Sequence, residues 1–342
     1  MTTPRSEIID LASTQYYHCT TRCVRRAFLF GEDPLTLRNY DHRKGWLVDR
    51  FHFLSKIFAI NICSYAVMSN HYHLVLFVNQ SLIDILSDEE VILRWKFLFP
   101  DNARFFECSA LTILERQERI DTIRKRLVDI SWFMRCINQP LAVSANKEDD
   151  CTGRFWEGRF YSQALLDEGA ILAAMVYDDL NPIRAGQAKT PEESNFTSIQ
   201  ERIFTLAQVP ELALSHEPER KREIINKTMQ PTTLMSFNCS QKINNPSYCT
   251  IPLSLSDYLE LVDETGRIIR DDKPGAIPEN LAPIFERLNF SSNGWIQFVE
   301  NIERQFFYSI GNSAALCEFS ARLNRRVAKG IKISRACYRK IA

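Results

Sequence analysis

The sequence predicts an α+β fold in which an antiparallel sheet is followed by a largely helical remainder. Aromatic and β-branched residues fill three short runs between residues 16 and 78, as is typical of strands. Apolar residues at helical spacing separate the first run from the second, which gives the order strand, helix, strand, strand. That order is typical of a ferredoxin-like sandwich, so we expect an antiparallel sheet with helices on one face.

Composition places the chain among ordinary globular proteins. Its 342 residues can bury a large core, and 45% of them are hydrophobic while 25% are charged. The formal net charge is zero, which argues against a uniformly basic nucleic-acid binder. Eight of the 42 basic residues lie in 321–342, where there is no Asp or Glu, and the other 34 face all 42 acidic residues. This basic tail could contact phosphates or could be a solvated end.

Cysteine usage and hydropathy predict a cytoplasmic protein. The ten cysteines include no Cys-x-x-Cys pair, which favours reduced thiols over a disulfide framework or a zinc ribbon. The first residues are polar and lack the apolar core of a signal peptide. No apolar run is long enough for a transmembrane helix, so we expect no membrane partner.

The first predicted strand, Tyr16–Cys23, carries arginines at its end. Arg22, Arg25 and Arg26 are placed to contact a phosphate backbone, although a solvated turn would have the same composition. The predicted helix Gly45–Ile60 follows, with apolar residues at helical spacing.

Two further strands, Ile62–Met68 and His71–Val78, form a predicted hairpin around Ser69-Asn70. Side chains alternate across a strand, so His71 and His73 share a face and Tyr72 lies on the other. Two neutral imidazoles on one rigid strand can begin a divalent metal site. A His-x-His pair can equally be two ordinary histidines on a sheet surface.

A helical insertion is predicted at about 81–130. Ser87 to Glu90 reads as a capping box, and the charged helix at 113–127 is expected to present a solvated face. The next helix, at 130–144, contains Pro140, which should kink or divide it.

The segment Cys151–Leu165 combines aromatic residues with arginines. Such a mixture can stack bases and hold phosphates, or it can form an edge strand with one packed face. We expect both uses, with Arg154 and Arg159 as its exposed members.

A second informative helix is predicted at Glu168–Leu180, capped by Asp167 and ended by Asn181-Pro182. Tyr177 and Asn181 are four residues apart and therefore neighbours on one face. Alternatively, they are a core tyrosine and a helix-terminal asparagine.

The periodic apolar pattern becomes weaker after Gly186. We predict a catalytic domain at 1–210, a linker at 211–250 rich in Pro, Ser and Asn, and a mostly helical C-terminal domain at 251–342. The apolar spacing of this last part indicates helix packing and gives no sign of catalysis.

Four segments together resemble the single-tyrosine HUH transposases, and most closely the REP-associated tyrosine transposases. They are Tyr17–Arg22, which resembles that family's first strand with its Thr-x-Arg, Met68–His73, Gly153–Phe160 and Tyr177–Gly186. Their order and spacing match the family's metal strand, its aromatic-basic block and its tyrosine helix with an Asn-Pro-x-Arg-Ala-Gly exit.

The resemblance implies a ferredoxin-like palm that cuts and rejoins single-stranded DNA at hairpin-bearing repeats, through a transient 5′-phosphotyrosine. Tyr177 would be the nucleophile, His71 and His73 metal ligands, and Asn181 the third ligand. This set of nitrogen and oxygen donors, with open positions, suits Mg²⁺ or Mn²⁺. Candidates for DNA phosphate contacts are Arg22, Arg25, Arg26, Arg154, Arg159 and Arg184.

The chain also departs from the family pattern. The insertion at about 81–130 exceeds what a minimal member needs, Tyr72 stands where a bulky hydrophobe is usual, and the part after about residue 215 lies outside the resemblance. Two other functions stay open: a domesticated protein that binds DNA hairpins without cutting, and a metal hydrolase unrelated to DNA that uses His71 and His73 alone. The protein could act as a monomer or as a homodimer.

Overall fold

The computed structural model describes residues 4–5, 8–24, 30–32, 37–100, 112–238, 249–269 and 282–339. Its strands are β1 Tyr16–Arg22, β2 Ile60–Val67, β3 His71–Val78, β4 Tyr161–Leu165 and β5 Ser309–Ile310. The helices up to the end of the tyrosine segment are α1 His42–Ser55, α2 Gln80–Ile85, α3 Asp88–Leu98, α4 Ile113–Leu127, α5 Ile130–Glu148, α6 Glu168–Asp179 and α7 Asn181–Arg184. Those that follow are α8 Ser198–Ala207, α9 Pro210–Leu214, α10 Pro218–Lys227, α11 Leu255–Ile269, α12 Ala282–Arg287, α13 Ser292–Gln305, α14 Ser313–Arg322 and α15 Ile331–Cys337.

The five strands form one mixed sheet in the order β2-β3-β1-β4-β5. All neighbours are antiparallel except β4 and β5, which are parallel. In the β1–β3 register, Thr20 lies opposite His73 and Arg22 lies opposite His71. Residues directly opposite each other project to the same side of a sheet, so both histidines and both β1 partners share one face.

The other face of the sheet packs on α1 and α5. Tyr72 and Leu74 of β3 join one buried cluster with Phe51 of α1 and Phe133 of α5. The Tyr72 hydroxyl, fully buried, donates a hydrogen bond to Asn138 Oδ1 at 2.7 Å. The apolar alternation in β3 and the apolar stripes of the two helices therefore account for this half of the core.

Helix α6 covers the face that carries the histidines. Eleven of its twelve residues, Gly169 to Asp179, are buried. One side of α6 packs with Val75 and Phe77 of β3, and the same cluster includes Trp295 and Phe298 of α13. The prediction of helices on one face of the sheet is therefore wrong, because a helix that is apolar on all sides needs partners on all sides.

The C-terminal helices are joined to the sheet at the start of α6. Asp167 caps α6 by accepting from Ala170 N at 2.8 Å. The same carboxylate accepts from Asn312 N at 2.7 Å and from the Tyr338 hydroxyl at 2.8 Å. Since β5 also pairs with β4, elements from 251–342 share the sheet and the core with elements from 1–210.

The division into domains at 210 and 250 stays a prediction. Within the range predicted as a linker, the structure has most of α9 and all of α10. Helix α10 is tied to α11 by ion pairs from Arg222 to Asp257 and Glu260.

Several predicted elements need adjusted bounds. Helix α1 covers His42–Ser55 rather than 45–60, because Ile60 already begins β2. Pro140 was expected to kink or divide a helix, yet α5 runs undivided through it. Proline removes only one backbone donor, and the flanking Ile137 and Leu141 are buried in the core, which holds the helix together.

Two expectations concern cysteines and membranes. The cysteines in the described ranges are all free. No helix in those ranges combines the length and the apolar character needed to cross a membrane.

Candidate functional site

The predicted histidines and tyrosine converge on one face of the sheet. The ring centroids of His71 and His73 on β3 are 4.9 Å apart. The Tyr177 ring on α6 lies 5.7 Å from that of His73 in an edge-on arrangement. Two residues from a strand and one from a helix a hundred positions later thus meet, as the combined motifs predict.

His71 is held as a neutral imidazole. Its Nδ1 lies 2.6 Å from Asn70 Oδ1, so Nδ1 carries the proton and Nε2 keeps its lone pair. Burial, with a contribution from the Arg22 cation, lowers the pKa of His71 to about 4. At neutral pH this side chain needs no deprotonation before it can act as a ligand.

His73 is fully buried and has one unsatisfied ring nitrogen. Its Nδ1 lies 3.2 Å from Thr20 Oγ1 and 3.2 Å from His18 Nε2, whereas Nε2 is buried without a hydrogen-bond partner. Burial and the neighbouring His71 keep the pKa of His73 well below its ordinary value. Buried polar atoms in native proteins are rarely left unpaired, so this nitrogen is suited to bind a metal ion.

The tyrosine helix ends in two more unsatisfied groups. The Arg184 guanidinium lies 4.3 Å above the Tyr177 ring. Arg184 Nη1 and Asn181 Nδ2 are both buried without a hydrogen-bond partner. The predicted phosphate-binding Arg184 therefore lies against Tyr177 with a donor available to an anion. The unpartnered atom of Asn181 is its amide nitrogen, which is a hydrogen-bond donor and not the oxygen that a metal ion would need.

The environment of Tyr177 disfavours its ionised form. The side chain is 6% exposed. Burial raises the pKa of the phenol above its ordinary value, and the nearby Glu303 carboxylate raises it further. Tyr177 is consequently a neutral phenol at pH 7 that would need help in losing its proton.

His18 and Asp178 form a buried pair next to His73, and neither residue was predicted to belong to the site. His18 Nε2 is 3.1 Å from Asp178 Oδ1, and both side chains are fully buried. Ser64 Oγ donates to the other Asp178 oxygen at 3.0 Å. Burial lowers the pKa of His18, but Asp178, Glu303 and Gln163 together outweigh burial and leave this pKa above its ordinary value. No local pattern links the two residues, because they are 160 positions apart.

His18, His73 and Asp178 form a group that could hold a metal ion, since their ligand atoms lie within 4.8 Å of one another. This enclosed group would use His73 Nδ1, and its other members already have hydrogen-bond partners in Gln163 and Ser64. The predicted set of His71, His73 and Asn181 would instead use the unpartnered His73 Nε2. His73 is thus common to both sets but through opposite ring nitrogens.

Glu303 of α13 reaches the same place from the C-terminal helices. Its carboxylate accepts from Arg22 Nη2 at 3.1 Å and lies 3.6 Å from His73 Nδ1, and its charge raises the pKa of Tyr177. The sequence pattern of 251–342 did not predict a site residue there. The only signal would have been an acidic side chain at the end of an amphipathic helix, which is usual on helix surfaces.

A cleft of about 300 Å³ opens beside these groups, lined by Thr20, Arg22, Glu157, Gly158, Arg159, Tyr161 and Glu303. It thus brings together two of the predicted phosphate-binding arginines, Arg22 and Arg159. Arg154 and Arg159 are both exposed, as expected. Arg25 and Arg26 lie outside the described residues.

Comparison with known proteins gives one distant likeness. A solved structure described as the REP-associated tyrosine transposase bound to a REP hairpin is similar to this chain with a TM-score of 0.34 and 12% identity. The similarity covers 56% of this chain and 79% of that one. No family model matches the chain, and no curated protein matches it.

Proposed function

We propose that this protein cuts and rejoins single-stranded DNA through a covalent 5′-phosphotyrosine at Tyr177, with a divalent metal ion. The observation that carries the proposal is the convergence of His71, His73 and Tyr177, with ring centroids 4.9 Å and 5.7 Å apart. In this assignment β1 to β4 correspond to the antiparallel ferredoxin-like palm, and α6 is its tyrosine helix.

His71, His73 and Asn181 would hold Mg²⁺ or Mn²⁺. The unpartnered buried His73 Nε2 and the neutral His71 fit this role. When bound, the ion supplies charge neutralisation and orientation of the scissile phosphate. Open coordination positions are needed for phosphate oxygens, which the enclosed group of His18, His73 and Asp178 does not offer because all three side chains are fully buried.

In this proposal His18 and Asp178 hold His73 in its orientation through Nδ1, the ring nitrogen that does not bind the metal. A ligating histidine is usually fixed through its second ring nitrogen by a buried hydrogen-bond partner. His73 Nδ1 has Thr20 and His18 at 3.2 Å, and His18 is itself held by Gln163 at 3.1 Å and by Asp178 at 3.1 Å. This chain of contacts keeps the ring plane of His73 fixed on the sheet.

The chemical step breaks one phosphodiester bond and forms another. The Tyr177 oxygen bonds to phosphorus while the bond to the 3′-oxygen breaks, which leaves a 3′-hydroxyl and a 5′-phosphotyrosine. A second DNA 3′-hydroxyl can then attack the phosphotyrosine and release the phenol without ATP. Arg184 above the Tyr177 ring, with Arg22 and Arg159 at the cleft, would hold the DNA phosphates during both steps.

The test is a covalent-adduct assay on the full chain. Single-stranded hairpin oligonucleotides from the repeats flanking the gene, labelled at the 3′ end, are incubated with protein and Mn²⁺ and then denatured. We expect a labelled adduct with the wild type, none with Tyr177→Phe, and retention of the adduct with Tyr16→Phe, since Tyr16 packs on Phe77 and does not line the cleft. Hairpin binding by Tyr177→Phe, measured by fluorescence anisotropy, should persist.

Two outcomes would contradict the proposal. An adduct that survives in Tyr177→Phe would show that another residue is the nucleophile. Hairpin binding by the wild type with no adduct, in the presence of Mn²⁺ or Mg²⁺, would favour the non-cutting DNA-hairpin-binding protein. The protein's oligomeric state, monomer or homodimer, stays a prediction in either case.

A further inference from the structure

A second cavity, of about 770 Å³, lies between the start of the tyrosine helix and the C-terminal helices. The first residues of α6 line it, whereas Tyr177 is in the last turn of that helix. Three arginines from the C-terminal part of the chain, Arg287, Arg335 and Arg339, also line it. We propose that this cavity binds the phosphate group of a nucleotide, either free or within a DNA strand.

The two acids that line the cavity are already used within the fold. Glu168 is paired with Arg287. The Asp167 carboxylate accepts hydrogen bonds from Ala170 N, from the backbone and side chain of Asn312, and from the Tyr338 hydroxyl. Neither carboxylate therefore needs a cation from outside, and the remaining arginines set the charge that a ligand would meet.

Arg335 and Arg339 are the guanidinium groups left for a ligand. Both are exposed, Arg335 in the last turn of α15 and Arg339 just after that helix. Arg339 Nη1 lies 3.8 Å from Glu286 Oε1 in an exposed pair, which is a weak contact. Within the ranges that the structure describes, Arg335 has no ion-pair partner. The planar fork of a guanidinium matches two oxygens of a phosphate group.

A buried hydroxyl without a partner belongs to the same cavity. Ser334 lines it next to Arg335 and is fully buried. Its Oγ has no hydrogen-bond partner among the described residues. Buried polar groups are rarely left unpaired, and a serine hydroxyl can donate to a phosphate oxygen. This unsatisfied hydroxyl distinguishes the cavity from an ordinary basic surface.

Two helices begin at the cavity. Glu168 begins α6 and Ser313 begins α14, and both residues line it. The amino end of a helix carries partial positive charge, which favours an anion. Asp167 and Asn312 already cap these helices, so the helix ends add to the arginines and do not form the site alone.

The size of the cavity favours a nucleotide over a bare ion. Pockets of about 300 to 1,000 Å³ enclose organic ligands of ordinary size. Leu288 and Tyr338 supply apolar lining that could contact a sugar or a base beside the phosphate. The cavity thus offers cations, a hydroxyl donor and apolar surface together.

The proposal also gives a role to part of the basic tail. Arg322, Arg325 and Lys329 of this tail contact an acid or an aromatic ring of the fold. Arg335 and Arg339 instead line the cavity. The tail is therefore divided into cations that stabilise the fold and cations that are open to a ligand.

The test measures binding of deoxyadenosine 5′-monophosphate to the full chain by isothermal titration, in EDTA so that no divalent ion is present. Arg335→Gln is compared with Lys332→Gln, which removes an exposed cation from the same helix outside the cavity. We expect Arg335→Gln to weaken binding at least about tenfold, because a charge-assisted hydrogen bond is lost. Lys332→Gln should match the wild type, and deoxyadenosine, which lacks the phosphate, should not bind.

Ser334→Ala tests the buried hydroxyl, and Arg339→Gln is a second charge variant. Ser334→Ala should weaken nucleotide binding several-fold without lowering the stability of the ligand-free protein to urea, because no hydrogen bond within the protein is lost. Wild-type nucleotide affinity in all three cavity variants would overturn the inference.

A short single-stranded oligothymidylate, tested in the same buffer, distinguishes the two sources of phosphate. If the cavity takes DNA, Arg335→Gln weakens binding of the oligonucleotide and the mononucleotide competes with it. If the cavity takes a free nucleotide, Arg335→Gln weakens binding of the mononucleotide alone.

Three results would overturn the inference: binding of neither probe by the wild type, equal affinities of the wild type and Arg335→Gln for both probes, or displacement of the nucleotide by acetate as readily as by inorganic phosphate. Since no DNA is cut in this assay, its outcome is independent of the covalent adduct at Tyr177. The proposed function and the nucleotide site can therefore fail separately.

Discussion

At the scale of single residues, the site is defined by atoms that lack partners as much as by atoms that have them. His73 Nε2, Asn181 Nδ2 and Arg184 Nη1 are buried and unsatisfied on or beside the tyrosine helix. Each such group costs about 1 to 3 kcal/mol if nothing pairs with it. Of these residues, His73 and Arg184 lie against the Tyr177 ring, at 5.7 Å and 4.3 Å, so an unpaired ring nitrogen and an unpaired guanidinium donor are close together.

The two possible metal sets make different predictions for His71. This residue belongs to the set of His71, His73 and Asn181 and lies outside the enclosed group. We expect His71→Ala to lower the affinity for Mn²⁺ at least about tenfold, because a direct ligand is lost. Isothermal titration of the metal-free protein with Mn²⁺ measures this directly. An unchanged affinity would assign the ion to His18, His73 and Asp178 instead.

The cleft arginines should determine how hairpin binding depends on salt. Arg159 is exposed and lines the cleft, so Arg159→Gln should weaken binding and reduce the slope of log K against log salt by about 1. Fluorescence anisotropy between about 50 and 200 mM salt gives that slope.

Arg116, exposed on α4, is the matched control for the loss of one surface charge. Arg116→Gln should leave the slope unchanged. Equal slopes for the wild type and Arg159→Gln would remove Arg159 from the DNA interface.

At the scale of elements, the tyrosine helix is joined to the C-terminal helices by a buried hydrogen bond. The Tyr258 hydroxyl on α11 donates to Asp179 Oδ2 at 2.5 Å, and both residues are fully buried. The other Asp179 oxygen accepts from Ser198 Oγ at 2.6 Å and from Ile199 N at 3.0 Å. One carboxylate thereby connects α6, α8 and α11.

Removing the hydroxyl should destabilise the protein. Tyr258→Phe leaves Asp179 Oδ2 buried without that donor, which we expect to lower the free energy of unfolding by about 1 to 3 kcal/mol in urea at neutral pH. Tyr16→Phe serves as control, since its ring keeps its contact with Phe77 at a centroid distance of 4.7 Å. If Tyr258→Phe lowers the free energy of unfolding no more than the control does, this hydrogen bond does not stabilise the contact between α6 and α11.

Much at this scale could be predicted from local pattern. The strands β1, β2 and β3 and the helices α1 and α6 follow from alternating or helical apolar spacing within short windows. Placing His71 and His73 on one face needed only the two-residue period of a strand.

What escaped prediction depends on contacts between distant parts of the chain. His18 is paired with Asp178, 160 residues later, and Glu303 is paired with Arg22, 281 residues earlier. A lone histidine in a strand and an acid in an amphipathic helix carry no local sign of such partners. The undivided α5 likewise reflects tertiary packing of Ile137 and Leu141 over the local effect of Pro140.

At the scale of the whole molecule, the sheet is covered by helices from both ends of the chain. The cluster around α6 includes residues of β3 and of α13, so the helices from 251–342 complete the core on which the tyrosine helix rests. The C-terminal helices therefore support the tyrosine helix, although the motif resemblance ends near Gly186.

This burial gives the whole fold a specific dependence on pH. Burial raises the pKa of Asp179 from 3.8 to about 6. The folded state then binds this proton more tightly than the unfolded state does. The stabilisation from this bound proton is fully present below about pH 4 and is lost as the pH rises through about 6. The loss amounts to about 3 kcal/mol of the free energy of unfolding.

Asp179→Asn cannot titrate and should lack this dependence. We expect the free energy of unfolding of the wild type, relative to Asp179→Asn, to fall by roughly that amount between pH 4 and pH 7, because only the wild type must ionise a buried carboxyl. Urea unfolding of both proteins across this range provides the comparison. A difference between them that is constant with pH would contradict the assignment.

The central claim is that Tyr177 becomes covalently linked to DNA, and peptide mapping of the adduct by mass spectrometry tests it most directly. Trypsin should release residues 160–184 as one peptide that contains both Tyr161 and Tyr177, so fragmentation must locate the linked residue. The account predicts a 5′-phosphate of the oligonucleotide on Tyr177. Linkage at Tyr161 or at any other residue would contradict it.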